Sequence, residues 1–350
     1  MAQGEQVEVF DNTAIRFGNG SESSINQYGL LQQPFYYSAD SEEYFQLTYA
    51  NFPLDMAVGF GTGGSAWHGN TVYELSQTTP DSITTDYSGL VTLASDSTRG
   101  YGVISSSVSH TLGGNQIDVE NVYSLTETDN FVQIDTTVRN VSGANLESFN
   151  VWVGTRDDYV GTSDRPLKTR GTIENGAFVE ISDPGNPSSA IQITSGNEGV
   201  LFYSTTEGAQ SVVDRCCSFS NVYNTDPSTV PTRVGPADGS YGMLLPVGNL
   251  ADGASVTITW FYAAGSLADL ADVTEAVANA AAATRIADKT TDGAQFVYKF
   301  SEDATLSYIV VPQGSAAPDA AQIQAGVSYS GVNPVDAGQL AITADVERTI

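Results

Sequence analysis

Residues 116–154, QIDVENVYSLTETDNFVQIDTTVRNVSGANLESFNVWVG, contain three extended segments separated by two short polar turns. Alternation in the middle segment divides its residues between two faces: Val132, Ile134, Thr136 and Val138 on one, and Phe131, Gln133, Asp135, Thr137 and Arg139 on the other. A period of two is typical of a β-strand that buries one face. Turn-forming residues occupy positions 127–130 and 141–145. The stretch therefore predicts a meander of antiparallel strands.

Segments of the same kind continue on both sides of this meander. They are rich in β-branched and aromatic residues and are bounded by Gly, Asn, Asp and Ser, at positions 7–10, 44–50, 71–76, 101–109, 178–182, 190–195, 199–205, 241–248 and 255–265. Many short strands with turns between them favour an all-β fold. We predict a large antiparallel β-sandwich over residues 1–265, with a supersandwich as one form that it can take.

The hydrophobic period changes after residue 265. Ser266 fits a helix N-cap, with Asp269 three residues later. Apolar residues then follow helical spacing at Leu267, Leu270, Val273 and Val277. We predict a helical connector over residues 266–292 and a second, smaller β-module over residues 293–350.

The charge balance limits the classes of partner. The chain has 41 acidic and 13 basic residues, a net charge of −28, and no basic cluster. Binding of nucleic acid or of an anionic membrane surface needs clustered cations, so both are excluded as partners. No apolar run approaches the roughly 20 residues that a membrane span needs. The scattered carboxylates favour a solvating surface, the binding of divalent cations, or both.

The composition also bears on location. Ser, Thr, Gly, Asn and Tyr are frequent and Lys is scarce, which is typical of secreted β-proteins. Residues 1–10, MAQGEQVEVF, lack the charged and apolar regions of a signal peptide. The ends of the chain therefore do not exclude the cytosol, but the composition predicts an extracellular location on a cell, virion or filament surface.

A charged loop at residues 150–171, NVWVGTRDDYVGTSDRPLKTRG, follows the last strand of the meander. It holds three aspartates and four cations: Asp157, Asp158, Asp164, Arg156, Arg165, Lys168 and Arg170. Short-spaced aspartates with Thr hydroxyls and turn carbonyls suit Ca²⁺, although the EF-hand spacing is absent. The alternative is a loop held by internal salt bridges, which the neighbouring cations favour. Tyr159 in this loop is a candidate ligand contact.

A glycine-rich loop at residues 59–70, GFGTGGSAWHGN, carries the second group of candidates. Trp67 has two interpretations: it packs across a sheet edge, or it offers a flat platform to a sugar or another planar ligand. His68 is a candidate ligand contact beside it. As a metal ligand His68 lacks a suitable partner, because the only other histidine in the chain is His110.

The two cysteines of the chain, Cys216 and Cys217, are adjacent. Neighbouring α-carbons lie about 3.8 Å apart across a trans peptide, which is below the roughly 4.4 Å minimum of ordinary disulfides. A bond between them would form a rigid ring with an exposed apolar face, suited to lining a binding surface. If the pair is reduced, one side chain is buried, the other is exposed, and neither has a predicted role.

Two parts of the chain resemble extracellular proteins. Residues 302–331, EDATLSYIVVPQGSAAPDAAQIQAGVSYSG, resemble the first half of fibronectin-type-III-like repeats. The resemblance covers about 55 residues and implies a partial immunoglobulin- or fibronectin-like sandwich without its final two strands. Either the chain is a truncated piece of a longer protein, or a neighbouring copy completes the sheet by strand addition.

Residues 121–143 and 238–265 are similar to the large β-sandwiches of multidomain surface proteins, including adhesins, filaments and virion fibres. That resemblance implies a non-enzymatic extracellular module that presents a ligand-binding or self-association surface. Its partners would be a glycan, a protein or other copies of the chain. The resemblance supplies no catalytic residues.

The alternative function is a carbohydrate-active enzyme or a glycan-binding domain on the same sandwich. The chain contains no nucleophile elbow, zinc-binding HExxH motif or phosphate-binding loop. A glycosidase needs two carboxylates that face one cleft. Asp157 or Asp158 with Asp129 or Glu120 is the pair that the sequence offers.

Overall fold

A computed structural model describes residues 9–18, 23–39, 41–64, 67–94 and 96–283. Further along the chain it describes residues 285–290, 293–298, 304–310, 320–326, 328, 332–342 and 348–349. The chain divides into two compact units, Met1–Val277 and Ala278–Ile350.

The described residues of the first unit form nineteen strands. The first ten are β1 Val9–Asp11, β2 Ile15–Phe17, β3 Pro34–Ser38, β4 Glu43–Gln46, β5 Asp55–Phe60, β6 Thr71–Glu74, β7 Ser82–Leu93, β8 Asp96–Leu112, β9 Asn115–Leu125 and β10 Phe131–Asn140. The other nine are β11 Leu146–Thr155, β12 Leu167–Glu174, β13 Ala177–Glu180, β14 Ala190–Ser195, β15 Glu198–Ser204, β16 Gln210–Arg215, β17 Arg233–Val234, β18 Gly239–Leu250 and β19 Ser255–Ser266.

These strands form two sheets. The large sheet has 14 strands in the order β13-β12-β14-β15-β19-β10-β9-β8-β1-β2-β3-β4, with β17 beside β12 and β7 beside β8. The small sheet has five strands in the order β16-β18-β11-β5-β6. Strands β1 and β8 pair in parallel, and the other described pairs are antiparallel. The predicted all-β class with large antiparallel sheets is confirmed.

Aromatic side chains fill the space between the two sheets. The ring of Phe202 in β15 lies 6.0 Å from the ring of Tyr241 in β18, centroid to centroid. The Tyr241 hydroxyl donates to the Tyr262 hydroxyl of β19 at 3.4 Å. All three side chains are fully buried. The first unit is therefore a sandwich whose core lies between a large and a small sheet.

The predicted meander is confirmed for β9 and β10, which pair over eight residues from Gln133↔Ser124 to Asn140↔Ile117. The third segment, β11, differs from the prediction because it leaves the large sheet and pairs with β18 and β5. The reason is its burial. Val151, Trp152 and Val153 are all 0% exposed, so both faces of β11 pack against other parts of the protein. Strand β10, by contrast, keeps one face towards solvent.

Close contact across the small sheet depends on two glycines, Gly154 and Gly242, which face each other in the β11–β18 pair. A Cβ atom on Gly154 would lie 2.1 Å from the carbonyl oxygen of Tyr241. On Gly242 it would lie 2.4 Å from the carbonyl oxygen of Val153. Larger residues would separate β11 from β18 at the point where the charged loop begins.

The described helices are α1 Phe219–Asn224, α2 Leu270–Ala283 and α3 Ala320–Ala325, and a 3₁₀ turn spans Pro227–Thr229. Helix α2 is the predicted helix, and it begins four residues after the predicted N-cap. Ser266 instead caps the turn before it, since its hydroxyl accepts a hydrogen bond from the Asp269 amide at 3.2 Å. Helices α1 and α3 were not predicted, because six residues are too few to show a helical period.

The second unit contains β20 Arg285–Thr290, β21 Gly293–Tyr298, β22 Ala304–Val310, β23 Asp336–Ile342 and β24 Arg348–Thr349. Strands β20, β21 and β24 form one sheet, and β22 pairs with β23. Residues 311–319 and 343–347, on which the predicted fibronectin-like sandwich also depends, lie outside the described residues. That sandwich stays a prediction, as do the boundaries predicted at residues 265 and 292.

The buried face of β10 gives a direct test of the sandwich core. Ile134→Ala should lower the free energy of unfolding by about 2–5 kcal/mol, because two buried methyl groups and a methylene are replaced by a cavity. Urea unfolding followed by tryptophan fluorescence measures the change. The exposed Arg139→Ala on the same strand is the control and should change it by less than about 0.5 kcal/mol.

Candidate functional site

The charged loop starts with an arginine that is fixed by a buried carboxylate. Asp55, at the start of β5, accepts hydrogen bonds from the Arg156 backbone amide at 2.8 Å and from its Nε at 3.1 Å. Arg156 Nη2 lies 2.5 Å from the other Asp55 oxygen. Nη2 also lies 3.3 Å from Glu74 Oε1 and from Ser76 Oγ. The guanidinium is therefore held in one place and its charge is compensated.

The centre of the loop is held by a fully buried ion pair between Lys168 and Asp158. Lys168 Nζ also donates to the carbonyl oxygens of Pro166, at 3.2 Å, and of Ala237. The three N–H donors of the ammonium group therefore have three acceptors, the Asp158 carboxylate and the two carbonyl oxygens. Burial raises the pKa of the Asp158 carboxyl group, and the Lys168 ammonium opposes that shift.

Arg170 anchors the end of the loop without a carboxylate. Its Nη1 donates to the Val230 carbonyl at 2.6 Å, and its Nε and Nη2 donate to the hydroxyls of Ser211 and Ser188 at 3.2 and 3.0 Å. The side chain is 0% exposed, and this burial lowers the pKa of its guanidinium to about 10. Three cations of the loop thus bind it to the sheets.

The interpretation as a salt-bridged loop is confirmed for Lys168 and Asp158. Arg156 differs, because its partner Asp55 lies outside the loop. The structure does not bring Asp157, Asp158 and Asp164 together as one ligand set, since Asp158 is committed to Lys168. Ca²⁺ binding by these three residues stays a prediction.

The structure instead groups Asp157 with three residues from other parts of the chain. One carboxylate oxygen each from Asp157 and Asp238 and the sulfur atoms of Cys216 and Cys217 all lie within 4.8 Å of one another. Asp157 is buried, whereas Asp238 and Cys217 are exposed. We call these four residues the cysteine–aspartate cluster.

The two carboxyl groups of this cluster both have raised pKa values. Burial raises the pKa of the Asp157 carboxyl group to about 6, and the carboxylates of Asp238 and Asp164 add to the shift. Burial and Asp164 raise the pKa of Asp238 in turn. Lys168 opposes both shifts. Asp157 belongs to the charged loop that the sequence indicated, whereas Asp238 lies in a separate irregular segment without a recognisable pattern.

The adjacent cysteines form a disulfide and are joined by a cis peptide bond. Their α-carbons are 3.1 Å apart, close to the roughly 2.9 Å that a cis peptide imposes. The pair follows β16 and precedes α1, whose N-cap is Ser218. Of the two states that the sequence left open, the structure has the bonded one.

The predicted ligand contacts Trp67 and His68 belong to a row of aromatic rings. The His68 ring lies 5.3 Å from the Trp67 ring and 4.7 Å from the buried Trp152 ring. His68 Nε2 is 3.0 Å from the Tyr223 carbonyl oxygen, and Nδ1 is 3.0 Å from Asn70 Oδ1. Both nitrogens are thus engaged by the protein. Trp67 is 43% exposed and remains a candidate platform.

Tyr159 contacts a second tyrosine beside the cluster. Its ring centroid is 6.1 Å from that of Tyr49, which is 46% exposed. The Tyr49 amide donates to the Asp157 carbonyl oxygen at 3.3 Å. Tyr159 therefore lies near Asp157, and its described ring contact is with Tyr49 rather than with the row that contains Trp67.

A cleft of about 540 Å³ lies on the other side of the loop start. Its lining combines hydroxyls, side-chain amides, two rings, a proline and one guanidinium: Ser23, Asn26, Gln27, Tyr28, Gln32, Phe52, Pro53, Ser76, Gln77 and Arg156. Arg156 is the only one of these residues that a sequence pattern indicated. The others come from three separate segments and follow no motif, so no local signal marks them. We call this the amide cleft.

Glu74 contacts three residues of the cleft lining, Ser76, Gln77 and Arg156. Its Oε1 lies 3.3 Å from both Ser76 Oγ and Arg156 Nη2, and it also accepts from Gln77 Nε2. Within the described part of the chain, Oε2 has no hydrogen-bond donor. Burial, assisted by the Asp55 carboxylate, raises the pKa of the Glu74 carboxyl group, while Gln77 and Arg156 oppose the shift.

Asp129 and Glu120, the other carboxylates proposed from the sequence, do not join these groups. Glu120 lies on β9 opposite Thr137 of β10, in the large sheet. Asp129 is in the β9–β10 turn, where its carbonyl oxygen accepts from Asn12 Nδ2 at 2.7 Å. The Asp157 carboxylate is instead paired in space with that of Asp238.

Comparison with known proteins gives only distant structural likenesses. No family model matches the chain, and no curated protein does. A putative aldose 1-epimerase from Escherichia coli K12 is 10% identical over 74% of this chain and 98% of its own, with a TM-score of 0.42. Galactose 1-epimerase from Lactobacillus acidophilus is 10% identical over 75% and 92%, with a TM-score of 0.41. A bacterial glucoamylase is 8% identical over 79% and 34%, with a TM-score of 0.44.

Our prediction of a non-enzymatic adhesin or filament module is wrong in the light of this comparison, because the similar structures are sugar-converting enzymes. The prediction relied on the acidic charge, on the resemblance to surface proteins and their repeats, and on the lack of a linear catalytic motif. Carboxylates that are brought together from distant segments leave no such motif. Every TM-score quoted is below 0.5, so the likeness identifies neither a substrate nor a reaction for this chain.

Among the described residues, no helix has the length and apolar composition needed to cross a bilayer. The extracellular location and the completion of the second unit by a neighbouring copy stay predictions. The fibronectin-type resemblance gains no support from the comparison either.

The buried ion pair of the loop has a measurable role in stability. Lys168→Met should lower the free energy of unfolding by about 3–5 kcal/mol, because Asp158 would keep a buried charge without its partner. Chemical denaturation at neutral pH measures the loss. The double variant Lys168→Met, Asp158→Asn should recover part of it, since neither charge remains. Equal losses in the single and double variants would contradict this role.

Proposed function

We propose that the chain is a carbohydrate-active protein that binds a neutral sugar in the amide cleft and transfers protons to and from it through Glu74. The supporting observation is the lining of the cleft: four side-chain amides, from Asn26, Gln27, Gln32 and Gln77, beside the rings of Tyr28 and Phe52. Amides both donate and accept hydrogen bonds, as sugar hydroxyls do. Aromatic rings suit the apolar C–H face of a pyranose.

The size of the cleft fits this ligand class. Its volume of about 540 Å³ lies within the range of roughly 300–1,000 Å³ that small-molecule sites occupy. The lining is mainly polar and comes from a fixed frame, since Arg156 is held by Asp55 and packs 5.3 Å above the Phe52 ring. Because these side chains are already held in place, little conformational entropy is lost when a ligand binds.

The charge of the cleft favours a neutral sugar over a sugar phosphate. Among the described residues of the lining, Arg156 is the only cation, and the carboxylates of Asp55 and Glu74 already compensate it. A phosphate would have to compete with these two carboxylates for the guanidinium. A neutral hydroxyl group can accept from Arg156 without displacing either carboxylate.

Glu74 supplies the proton chemistry in this proposal. Its Oε1 is fixed by Ser76, Gln77 and Arg156, whereas Oε2 has no donor among the described residues. A carboxyl group whose pKa is raised by burial holds its proton at a higher pH than an exposed glutamate does. Such a group is suited to act as a general acid or base towards a sugar oxygen.

Binding is tested by calorimetric titration of neutral mono- and disaccharides, with a sugar phosphate for comparison. Tyr28→Ala should weaken the binding of a neutral sugar about tenfold, or ~1.4 kcal/mol. Gln27, which is exposed in the lining, allows a second variant, Gln27→Ala, with little risk to folding. Arg139→Ala is the control, because Arg139 lines a separate polar groove on the large sheet.

Two results would contradict the binding site. The first is that no neutral sugar binds to the unaltered chain. The second is that Arg139→Ala weakens binding as much as Tyr28→Ala and Gln27→Ala do.

Catalysis is tested by incubating the chain with reducing sugars and glycosides and following the anomeric protons by NMR. This measurement detects both interconversion of anomers and cleavage of a glycosidic bond. Glu74→Gln should lower the rate at least about 100-fold, since a general acid–base group contributes roughly 10²–10⁴. Sugar affinity should change less than about threefold. A variant that retains the full rate would exclude Glu74 from the reaction.

A further inference from the structure

The cysteine–aspartate cluster combines two sulfur atoms and two carboxylate oxygens within 4.8 Å of one another. The residues come from three places: Asp157 follows β11, the cysteines lie between β16 and α1, and Asp238 directly precedes β18. Four ligands of this kind suit a tetrahedral divalent cation of the zinc class once the sulfurs are thiolates. In the disulfide form the sulfurs are bonded to each other and are not available as thiolates.

The carboxylate of Asp157 is largely buried and has no hydrogen-bond donor among the described residues. The side chain is 5% exposed. Its oxygen is directed into the cluster, within 4.8 Å of both sulfur atoms. A carboxylate with little access to water and no protein donor is poorly compensated, because few groups are left to solvate it. A cation at the centre of the cluster would supply that partner.

The backbone around the cysteines is held by contacts other than the disulfide. Asn221 Nδ2 donates to the Arg215 carbonyl oxygen at 2.8 Å. Ser240 Oγ donates to the same carbonyl at 3.1 Å and lies 3.3 Å from the Ser218 carbonyl oxygen. Both flanks of the pair are therefore fixed to α1 and β18. The sulfur atoms should stay beside the two carboxylates after the bond between them is broken.

We propose that reduction of the Cys216–Cys217 disulfide converts the cluster into a binding site for one zinc-class divalent cation. A phosphine reductant and water supply the change: the S–S bond takes up two electrons and two protons, and the phosphine becomes its oxide. On binding the cation, the two thiols release their protons and become thiolate ligands. Asp157 and Asp238 provide the remaining two ligands.

The geometry requires only small side-chain adjustments. Ligand atoms around a tetrahedral zinc lie about 3.4–3.8 Å apart, given the usual Zn–S and Zn–O lengths. The cluster spans up to 4.8 Å, and freed thiols can rotate about their Cα–Cβ bonds. Ca²⁺ is a poorer fit, because it prefers six to eight oxygen ligands. Cys217 is exposed, so a reductant can reach the bond.

The inference is independent of the sugar proposal, because none of the four residues lines the amide cleft. Its test therefore uses metal alone. The full chain is reduced with a phosphine, freed of reductant without oxygen, and titrated with Co²⁺ as a spectroscopic substitute for Zn²⁺. We expect one Co²⁺ per chain, a thiolate-to-cobalt charge-transfer band in the near ultraviolet, and displacement of the cobalt by Zn²⁺. The oxidised chain should show neither the band nor stoichiometric binding.

Three variants distinguish the cluster from general attraction to an acidic surface. Asp238→Asn, at an exposed position, and Asp157→Asn should each weaken Co²⁺ binding about tenfold or more. Asp164→Asn is the matched control, because Asp164 adds negative charge near Asp157 but is not one of the four ligands. It should change the affinity less than about threefold. Circular dichroism confirms that each variant is folded.

The proposal is overturned if the oxidised chain binds Co²⁺ as tightly as the reduced chain, or if reduced binding produces no charge-transfer band. It is also overturned if Asp238→Asn and Asp164→Asn have the same effect, since binding would then follow surface charge alone.

Discussion

The contact between Asp55 and Arg156 fixes the arrangement on which both proposed sites depend. Asp55 begins β5 and pairs with Gly154 of β11, so its carboxylate meets the chain where the strand ends. By binding both the backbone amide and the side chain of Arg156, it sets the direction in which the loop leaves the sheet. The guanidinium then borders the amide cleft, and the next side chain, Asp157, enters the cysteine–aspartate cluster.

The loop obtains its rigidity from buried charges that are compensated in different ways. Lys168 has a carboxylate and two carbonyl oxygens as acceptors, whereas Arg170 has only carbonyl and hydroxyl oxygens. A buried cation without any acceptor would be very costly. Because both cations are bound by these acceptors, neither makes direct contact with the carboxylate of Asp157. This leaves one buried carboxylate facing the disulfide.

How much was predictable from the sequence depends on how local each feature is. The alternation in β10 predicted its buried face, because the signal lies within one strand. The position of β11 was not predictable in the same way, since Val151 and Trp152 next to each other indicate burial on both faces without saying which sheet supplies the cover. Asp238 and Glu74 were missed because their roles depend on neighbours from distant segments. The sequence showed that a disulfide between the adjacent cysteines was possible. Only the fold shows that two carboxylates lie beside it.

The burial of Lys168 also affects how the protein reacts with reagents that modify amines. The chain has three lysines, Lys168, Lys289 and Lys299. Lys168 is 0% exposed and its ammonium group is fully hydrogen-bonded, so reagents that acylate amines will not reach it in the folded state. The other two lysines belong to the second unit. Reagents that acylate lysine side chains should therefore leave Lys168, and with it the charged loop of the first unit, unmodified in the folded protein.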